Sequence, residues 1–448
     1  MNRLSHIIKR DGRAAPFTKL RITNAIFRAA VAVGERNRDE AEALADRVVE
    51  RILALPWADS YPSVEEIQDI VEKVLIDQGK SVIAKAYILY RADRARRRSA
   101  RETRDLRQGD PIPWKQIWHV LNWAIEHNVH TVHALNRRIR SGQFGELVRE
   151  SEDAYETDIV RAADAILARK GAIRVVIVAG PSSSGKTTTT LKLSRQLATE
   201  GFRFVPFHVD HYFHDLDQHP KDEYGDYDYE TPQALNLELI NRHLKQLLSG
   251  ETVRVPKFDY KAGKRIDNHH EMKLNPDEIL LIDSLHGLYG GMTGEIPTDQ
   301  KFRLYIETLL QMREVSGRYI RWADMRLLRR MTRDKDARHV DPKFTIEHWR
   351  YVRDAELDHI VPFVNSVDFI VNGSLPYELP VMKRRWLETF RQWDVEYATR
   401  PDRADARERA SRIRSLFESL ADITEDQEKE IPGTALIREF IGGSSFTY

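Results

Sequence analysis

Residues 173–187 read Ile-Arg-Val-Val-Ile-Val-Ala-Gly-Pro-Ser-Ser-Ser-Gly-Lys-Thr, and the fold is decided by the contrast between the two halves of this stretch. The first half is a nearly unbroken β-branched run closed by glycine, the pattern of a strand buried on both faces. The second half, Gly180 to Thr187, satisfies G-x-x-x-x-G-K-[ST] and runs directly into TTTTLKLSRQLATE, a helical pattern. A loop of this kind lets backbone N–H groups curl around phosphate oxygens, and the helix N-terminus adds its positive end. Gly180, Ser182, Ser183, Ser184, Gly185, Lys186, Thr187 and Thr188 are therefore the candidate ATP-binding residues. Lys186 is placed to neutralise the β- and γ-phosphates, and the Thr187 hydroxyl to ligate Mg²⁺.

Outward from this loop, FRFVPFHVD, EILLIDSLHG, KFRLYI and VDFIVNG repeat the buried-strand signature, with helical stretches between them. Alternation of that kind predicts an α/β fold, a mostly parallel sheet covered by helices on both sides. Ligands of such sheets sit beyond the carboxyl ends of the strands. Two carboxylates fall at strand ends: Asp283, the natural acidic partner for the metal, and Asp210, a candidate base for an attacking hydroxyl. His208, His211 and His214 lie close by with Asp215, but their spacing on a strand entering a loop points successive rings in different directions, so no zinc site is expected.

The segment RLLRRMTRDKDAR places Arg326, Arg329, Arg330, Arg333 and Arg338 on one helix, balanced by Asp324, Asp334 and Asp336. Like charges at such spacings repel unless anions meet them. Phosphoryl transfer supplies anions, so the helix is expected to act as a mobile lid.

The balance of the chain is less directive. Lys and Arg number 70 against 69 Asp and Glu, a net charge of +1 that gives no global field for nucleic acid or anionic membrane. Residues 91–107 contain eight arginines, but with Asp and Glu among them and no aromatics, the pattern of a solvated helix face. No apolar run reaches the roughly 18 residues of a membrane span, and MNRLSHIIKRDGR has no secretory pattern, so a cytoplasmic protein is expected. The absence of cysteine excludes disulfides, thiolate metal sites and cysteine nucleophiles. Before the strand region, the sequence predicts a short strand at Leu4–Lys9, a turn at Asp11-Gly12, helices over 18–33 and 39–54, and a third helix opened by a capping box in SVEE from Ser63. Asp110-Pro-Ile-Pro113 marks a linker, and 114–170 is mostly helical, with Trp114, Trp118 and Trp123 expected to pack.

Across residues 170–380 the order GPSSSGKTT, VDHYF, YDYETPQAL, VPKFDY, acidic strand and arginine-rich helix resembles the uridine kinase and phosphoribulokinase family. The resemblance implies Asp210 as catalytic base, Glu230 on ribose hydroxyls, Tyr212 and Phe258 lining a nucleoside pocket, and Arg330, Arg333 and Arg338 on substrate and phosphates. Two positions depart from uridine–cytidine kinases, where a histidine and a glutamine read the pyrimidine: here stand Gly263 and Trp349, and the ribose acid is Glu230 instead of aspartate. Loss of polar readers is expected to remove most base discrimination.

IIKRDGR, RITNAIFRAA and PSVEEIQDIVEKVLIDQG followed by AKAYILYR resemble the ATP-cone, a nucleotide-sensing domain, which implies Lys9, Arg10 and Arg21 as triphosphate contacts for a regulatory ATP or dATP. The expected organisation is an ATP-cone at 1–95, a helical connector at 96–170, a P-loop kinase domain at 171–380 and a helical extension at 381–448. The expected activity is Mg²⁺- and ATP-dependent phosphorylation of a hydroxyl on a nucleoside-like small molecule, by a homo-oligomer without nucleic-acid or membrane partners. Two alternatives stay open: a kinase for a phosphorylated sugar or acid, and a nucleotide-sensing regulator with vestigial chemistry.

Overall fold

The computed structural model describes residues 5–8, 14–35, 37–55, 61–89, 91, 112–219, 230–400 and 403–447. The chain divides into two compact units, one holding the described residues up to 91 and the other those from 112 onward.

In the first unit, β1 (His6–Ile8) pairs antiparallel with β2 (Ala14–Pro16). Three helices follow, α1 (Lys19–Ala32), α2 (Arg38–Ala54) and α3 (Val64–Asp77), with a further helical stretch over 81–89. The capping box expected at Ser63 forms: Ser63 Oγ accepts from the Glu66 N–H at 3.2 Å, and Glu66 Oε2 accepts from the Ser63 N–H at 2.8 Å. Ile22, Ile26, Val48, Ile52, Val71, Val74 and Leu75 form a core belonging to this unit alone. Lys9 and Arg10 lie outside the described residues, as do most of the arginines of 91–107, and Arg21 is exposed on α1.

The second unit is built on a five-stranded sheet in which all pairs are parallel, in the order β4 (Arg203–Pro206), β7 (Glu278–Ser284), β3 (Val175–Ala179), β8 (Lys301–Glu307), β9 (Phe369–Asn372). These are the five runs singled out in the sequence, and the period-2 geometry of a strand explains why the central β3, covered on both faces, is apolar at every position. Val176 and Val178 enter a core on one face with Leu193, Phe302, Leu304 and Ile306, while Val175, Ile177 and Ala179 enter a second core with Leu280, Ile282 and Leu244. An antiparallel hairpin of β5 (Val253–Asp259) and β6 (Lys264–Met272) stands apart from the sheet and contains VPKFDY.

The first of these cores also takes residues set apart in the sequence as connector and extension. Phe144 and Tyr155 from α6 (Phe144–Leu167) join it, as do Trp386 and Phe390 from α11 (Glu378–Ala398), Phe417 from α12 (Ala404–Ser419), and Leu436 and Phe440 beyond. The tryptophans of α4 (Trp114–Glu126) correct the expectation that all three pack: Trp123 does, but Trp114 and Trp118 are 61% and 60% exposed. They lie on the outer face of a helix whose buried side is made by Val120 and Ala124.

One buried carboxyl in this unit gives a pH-dependent stability. Glu152 on α6 accepts from the Tyr377 hydroxyl at 2.5 Å and lies 3.8 Å from Lys192 Nζ, yet burial outweighs both and pushes it up from 4.5 to about 7. Because the folded value is the higher one, its contribution is full below pH 4.5 and is lost as pH rises through about 7. Glu152→Gln, which still accepts from Tyr377, should therefore be more stable than the parent at pH 8 by ~1–3 kcal/mol. The advantage should vanish near pH 5, as read from urea midpoints across pH.

Candidate active site

Three neighbouring strands end at one place. β3 runs into Gly180, β7 ends with Asp283 and Ser284, and β4 leads through Phe207 to a single turn of 3-10 helix, Val209–Tyr212, that carries Asp210. β7 pairs with both of the others, so the topology alone brings Lys186, Asp283 and Asp210 together.

The phosphate loop is shaped by close packing. A side chain at Gly180 would meet the Ile306 carbonyl oxygen at 2.4 Å, and Gly185 adopts φ +99° as it opens α7 (Lys186–Ala198). Ser183 also sits at positive φ, +58°. The loop carbonyls are tied back by two guanidinium groups: Arg326 donates to Ser182 O at 3.2 Å, and Arg329 to Ser184 O at 3.0 Å. Lys186 donates to the carbonyls of Gly180 (3.0 Å) and Pro181 (3.2 Å), folded back along the loop.

The helix α9 (Trp322–Arg338) contains the arginines expected to form a mobile lid, and the structure corrects that expectation. Arg326 and Arg329 are wholly buried. Arg326 binds both oxygens of Glu356 at 2.6 and 3.0 Å and lies 2.8 Å from Glu307, while Arg329 binds both oxygens of Glu378 at 2.5 and 2.9 Å. Burial raises a carboxyl, but Arg326 and Arg353 hold Glu356 below the usual range. Desolvated pairs of this kind hold the Arg326–Arg329 part of the helix in the interior, and the bonds from both guanidinium groups to loop carbonyls tie it to the loop, so these two arginines are anchors and not lid cations.

Arg330, Arg333 and Arg338 remain on the open side. Arg330 donates to Ser182 Oγ and Glu230 Oε1, both at 3.1 Å, which joins the loop to the residue implied on ribose hydroxyls. Asp334, buried between them, lies 3.4 Å from Arg330, 4.0 Å from Arg333 and 3.2 Å from Arg338, and accepts from Thr345 at 3.4 Å. The sequence had shown Asp334 only as a balancing charge; its role as the shared acceptor needs the helix face and Thr345 together. Burial first, and then the charge on Arg338, pull Arg333 down to about 10 against the opposing charges of Glu439 and Asp334.

Asp210 is exposed at the strand end, and surrounding protein raises its carboxyl, opposed by Lys186 and His208. Burial pushes Asp283 up to about 6 against the opposing charge of Lys186, with Glu439 and Asp210 raising it further. Among the described residues, no group of three or more acids, histidines or cysteines is placed to hold a metal. Thr187 and Asp283 offer only a hydroxyl and one carboxylate short of positive charge, a donor set that fits Mg²⁺ shared with phosphate oxygens. His286, three residues beyond Asp283, was not singled out from the sequence. It is buried with neither ring nitrogen hydrogen-bonded, and burial beside His359 and Lys186 pushes it down to about 3, so it is neutral.

The acceptor-side aromatics are not brought to an open pocket. Tyr212 is 1% exposed, its hydroxyl is shared with His243 Nδ1 at 2.9 Å, and its ring stacks on Phe207. Phe258 is buried edge-on against Phe213 and Tyr260. Gly263 closes the β5–β6 turn at φ +64° with its carbonyl accepting from Leu216 N–H at 2.9 Å, so glycine stands there for the backbone. Trp349 is buried in the core on α10 (Pro342–His359) with its ring facing Arg326. The segment 220–229, with YDY, lies outside the described residues.

Comparison with known proteins gives two family matches: the ATP cone domain over residues 5–96, and the Phosphoribulokinase / Uridine kinase family over residues 175–377. A vitamin B12-dependent ribonucleoside-diphosphate reductase of Thermoplasma acidophilum is 44% identical over 108 residues, 23% of this chain, which spans 13% of the reductase. Uridine kinases of Macrococcus caseolyticus and Staphylococcus aureus are 26% and 29% identical over 46% and 47% of this chain, and 93% and 94% of their own lengths. Among solved structures, a putative fructose transport system kinase from Silicibacter sp. matches 46% of the chain at 16% identity with a TM-score of 0.31. The family matches fall on the two units found in the fold, and the second begins at the strand that feeds the phosphate loop. The chain thus carries, over residues 175–377, a domain that matches the Phosphoribulokinase / Uridine kinase family, and, over residues 5–96, one that matches the ATP cone domain.

Proposed function

We propose that the second unit transfers the γ-phosphoryl group of ATP to a hydroxyl of a small, nucleoside-like acceptor, and that the ATP cone binds a regulatory nucleotide that sets activity or oligomeric state. The observation that carries the reading is the meeting of Lys186, Asp210 and Asp283 at the ends of three adjacent strands. Asp210, raised toward a useful basicity, accepts the proton of the attacking hydroxyl. Glu230, fixed by Arg330, accepts from vicinal hydroxyls of the acceptor. Lys186, Arg330 and Arg333 balance charge on the transferring group, with Arg338 at the open edge. Thr187 and Asp283 would hold Mg²⁺, which supplies further charge neutralisation on the phosphates.

A second reading, a phosphorylated sugar or acid as acceptor, is favoured by two observations. Tyr212 and Phe258 are consumed in packing, and Arg338, with 54% of its side chain exposed, offers a cation at the open edge of the site. An ADP-release screen with the four ribonucleosides, pseudouridine and small phosphorylated sugars and acids separates the two. A nucleoside should give the highest kcat/KM under the first reading, and the anionic acceptors under the second. Release with none of them, from enzyme that binds ATP, counts against both and for the sensor alternative.

A further inference from the structure

Thr188 lies in the first turn of α7, where backbone N–H groups have no acceptor within the helix. Its N–H donates to Glu439 Oε2 at 3.1 Å, and its hydroxyl donates to the same oxygen at 2.7 Å. Glu439 belongs to a segment beyond the residues matched by the kinase family, and that segment is seated firmly. Ala435, Leu436 and Ile437 are fully buried. The Leu436 methyl groups lie against Gly185, so close that a Cβ there would meet one at 2.8 Å. The Phe440 ring faces Arg329 and Arg333 at 5.1 and 5.9 Å. Arg438 donates to Ile431 O at 2.5 Å, and Ser445 N–H to Gly433 O at 2.8 Å, which closes the segment on itself.

In a G-x-x-x-x-G-K-[ST] loop, the amides at the start of the helix are those that cradle the α- and β-phosphates. A carboxylate on the Thr188 N–H and hydroxyl uses the same donors, and two anions sharing them repel at contact distance. Glu439 also lies 4.0 Å from Arg333, one of the cations assigned to the transferring group. We infer that the segment 433–441 is a built-in competitor of the nucleotide: Glu439 holds Thr188 as a phosphate would, and a nucleotide seats fully only when Glu439 is displaced. This rests on the reading of 180–188 as a nucleotide loop. It makes apparent affinity the product of intrinsic affinity and the fraction of molecules in which Glu439 is released.

The test is Glu439→Gln, which keeps the shape and an oxygen acceptor for Thr188 but removes the charge. ATP and ADP binding is measured by calorimetry on the full chain, with Lys186→Ala as a control, and hydrogen exchange over 433–441 is followed with and without nucleotide. The expected result is a Kd about tenfold lower or more in Glu439→Gln, and faster exchange over 433–441 when nucleotide binds the parent. Equal or weaker binding by Glu439→Gln, with exchange over 433–441 unchanged, overturns the inference while leaving the loop reading intact. If Lys186→Ala binds at the second unit as the parent does, the loop reading fails and the inference falls with it.

Discussion

Asp210→Asn should lower kcat by about 10²- to 10⁴-fold while changing the ATP dissociation constant by no more than about twofold. The substitution keeps the shape of the side chain at the end of the β4 segment and removes only its capacity to take a proton. Its carboxyl is raised by its surroundings, which suits a group that accepts a proton during reaction, and Lys186 and His208 keep it from rising further. Lys186→Ala should fail differently. Its Nζ rests on the Gly180 and Pro181 carbonyls inside the loop, so the variant should lose ATP binding at this unit together with ADP formation. Binding at the ATP cone should survive as a separate calorimetric event. Steady-state ADP release alongside calorimetry distinguishes the two. An Asp210→Asn enzyme with near-parent kcat removes Asp210 from the chemistry, and turnover retained by Lys186→Ala sinks the kinase assignment.

Arg329→Met should destabilise the second unit by ~3–5 kcal/mol. Arg329 and Glu378 are both without solvent exposure, and the guanidinium also donates to the carbonyls of Ser184 at 3.0 Å and Gly373 at 2.5 Å. Removing it leaves a buried carboxylate and two carbonyls without a donor, the costly way to break a desolvated pair. Calorimetric Tm should fall by roughly 5–15 °C. The double variant Arg329→Met with Glu378→Leu should recover much of the loss, because the charge left behind is then gone. An unchanged Tm in the single variant would contradict the anchoring role. Arg330→Met, one residue along and partly exposed, is expected to cost only ~0–1 kcal/mol.

These expectations divide the arginine helix in a way that its spacing did not. Arg326, Arg329, Arg330, Arg333 and Arg338 all read as lid cations, since a periodic run shows that charges share a helix but not which side is buried. The acids that meet Arg326 and Arg329 are Glu307, Glu356 and Glu378, 19, 30 and 49 residues distant in the chain, on β8, α10 and α11. The carboxylate on Thr188 comes from 251 residues away.

What was legible from residues alone is what local chemistry fixes. The five runs became the parallel sheet, and the central β3 (Val-Val-Ile-Val-Ala), buried at every position, is apolar throughout because both of its faces are covered. Gly180 and Gly185 marked the loop, because only glycine fits a carbonyl at that distance or a positive φ at that turn. Ser63 and Glu66 marked a helix start, because a capping box is complete within four residues. The sorting of cations into anchors and site groups, the withdrawal of Tyr212, Phe258 and Trp349 into packing, and the seating of Glu439 on the phosphate loop were decided only by tertiary structure. Each depends on which distant side chain fills the space opposite, and that information is absent from any window of sequence.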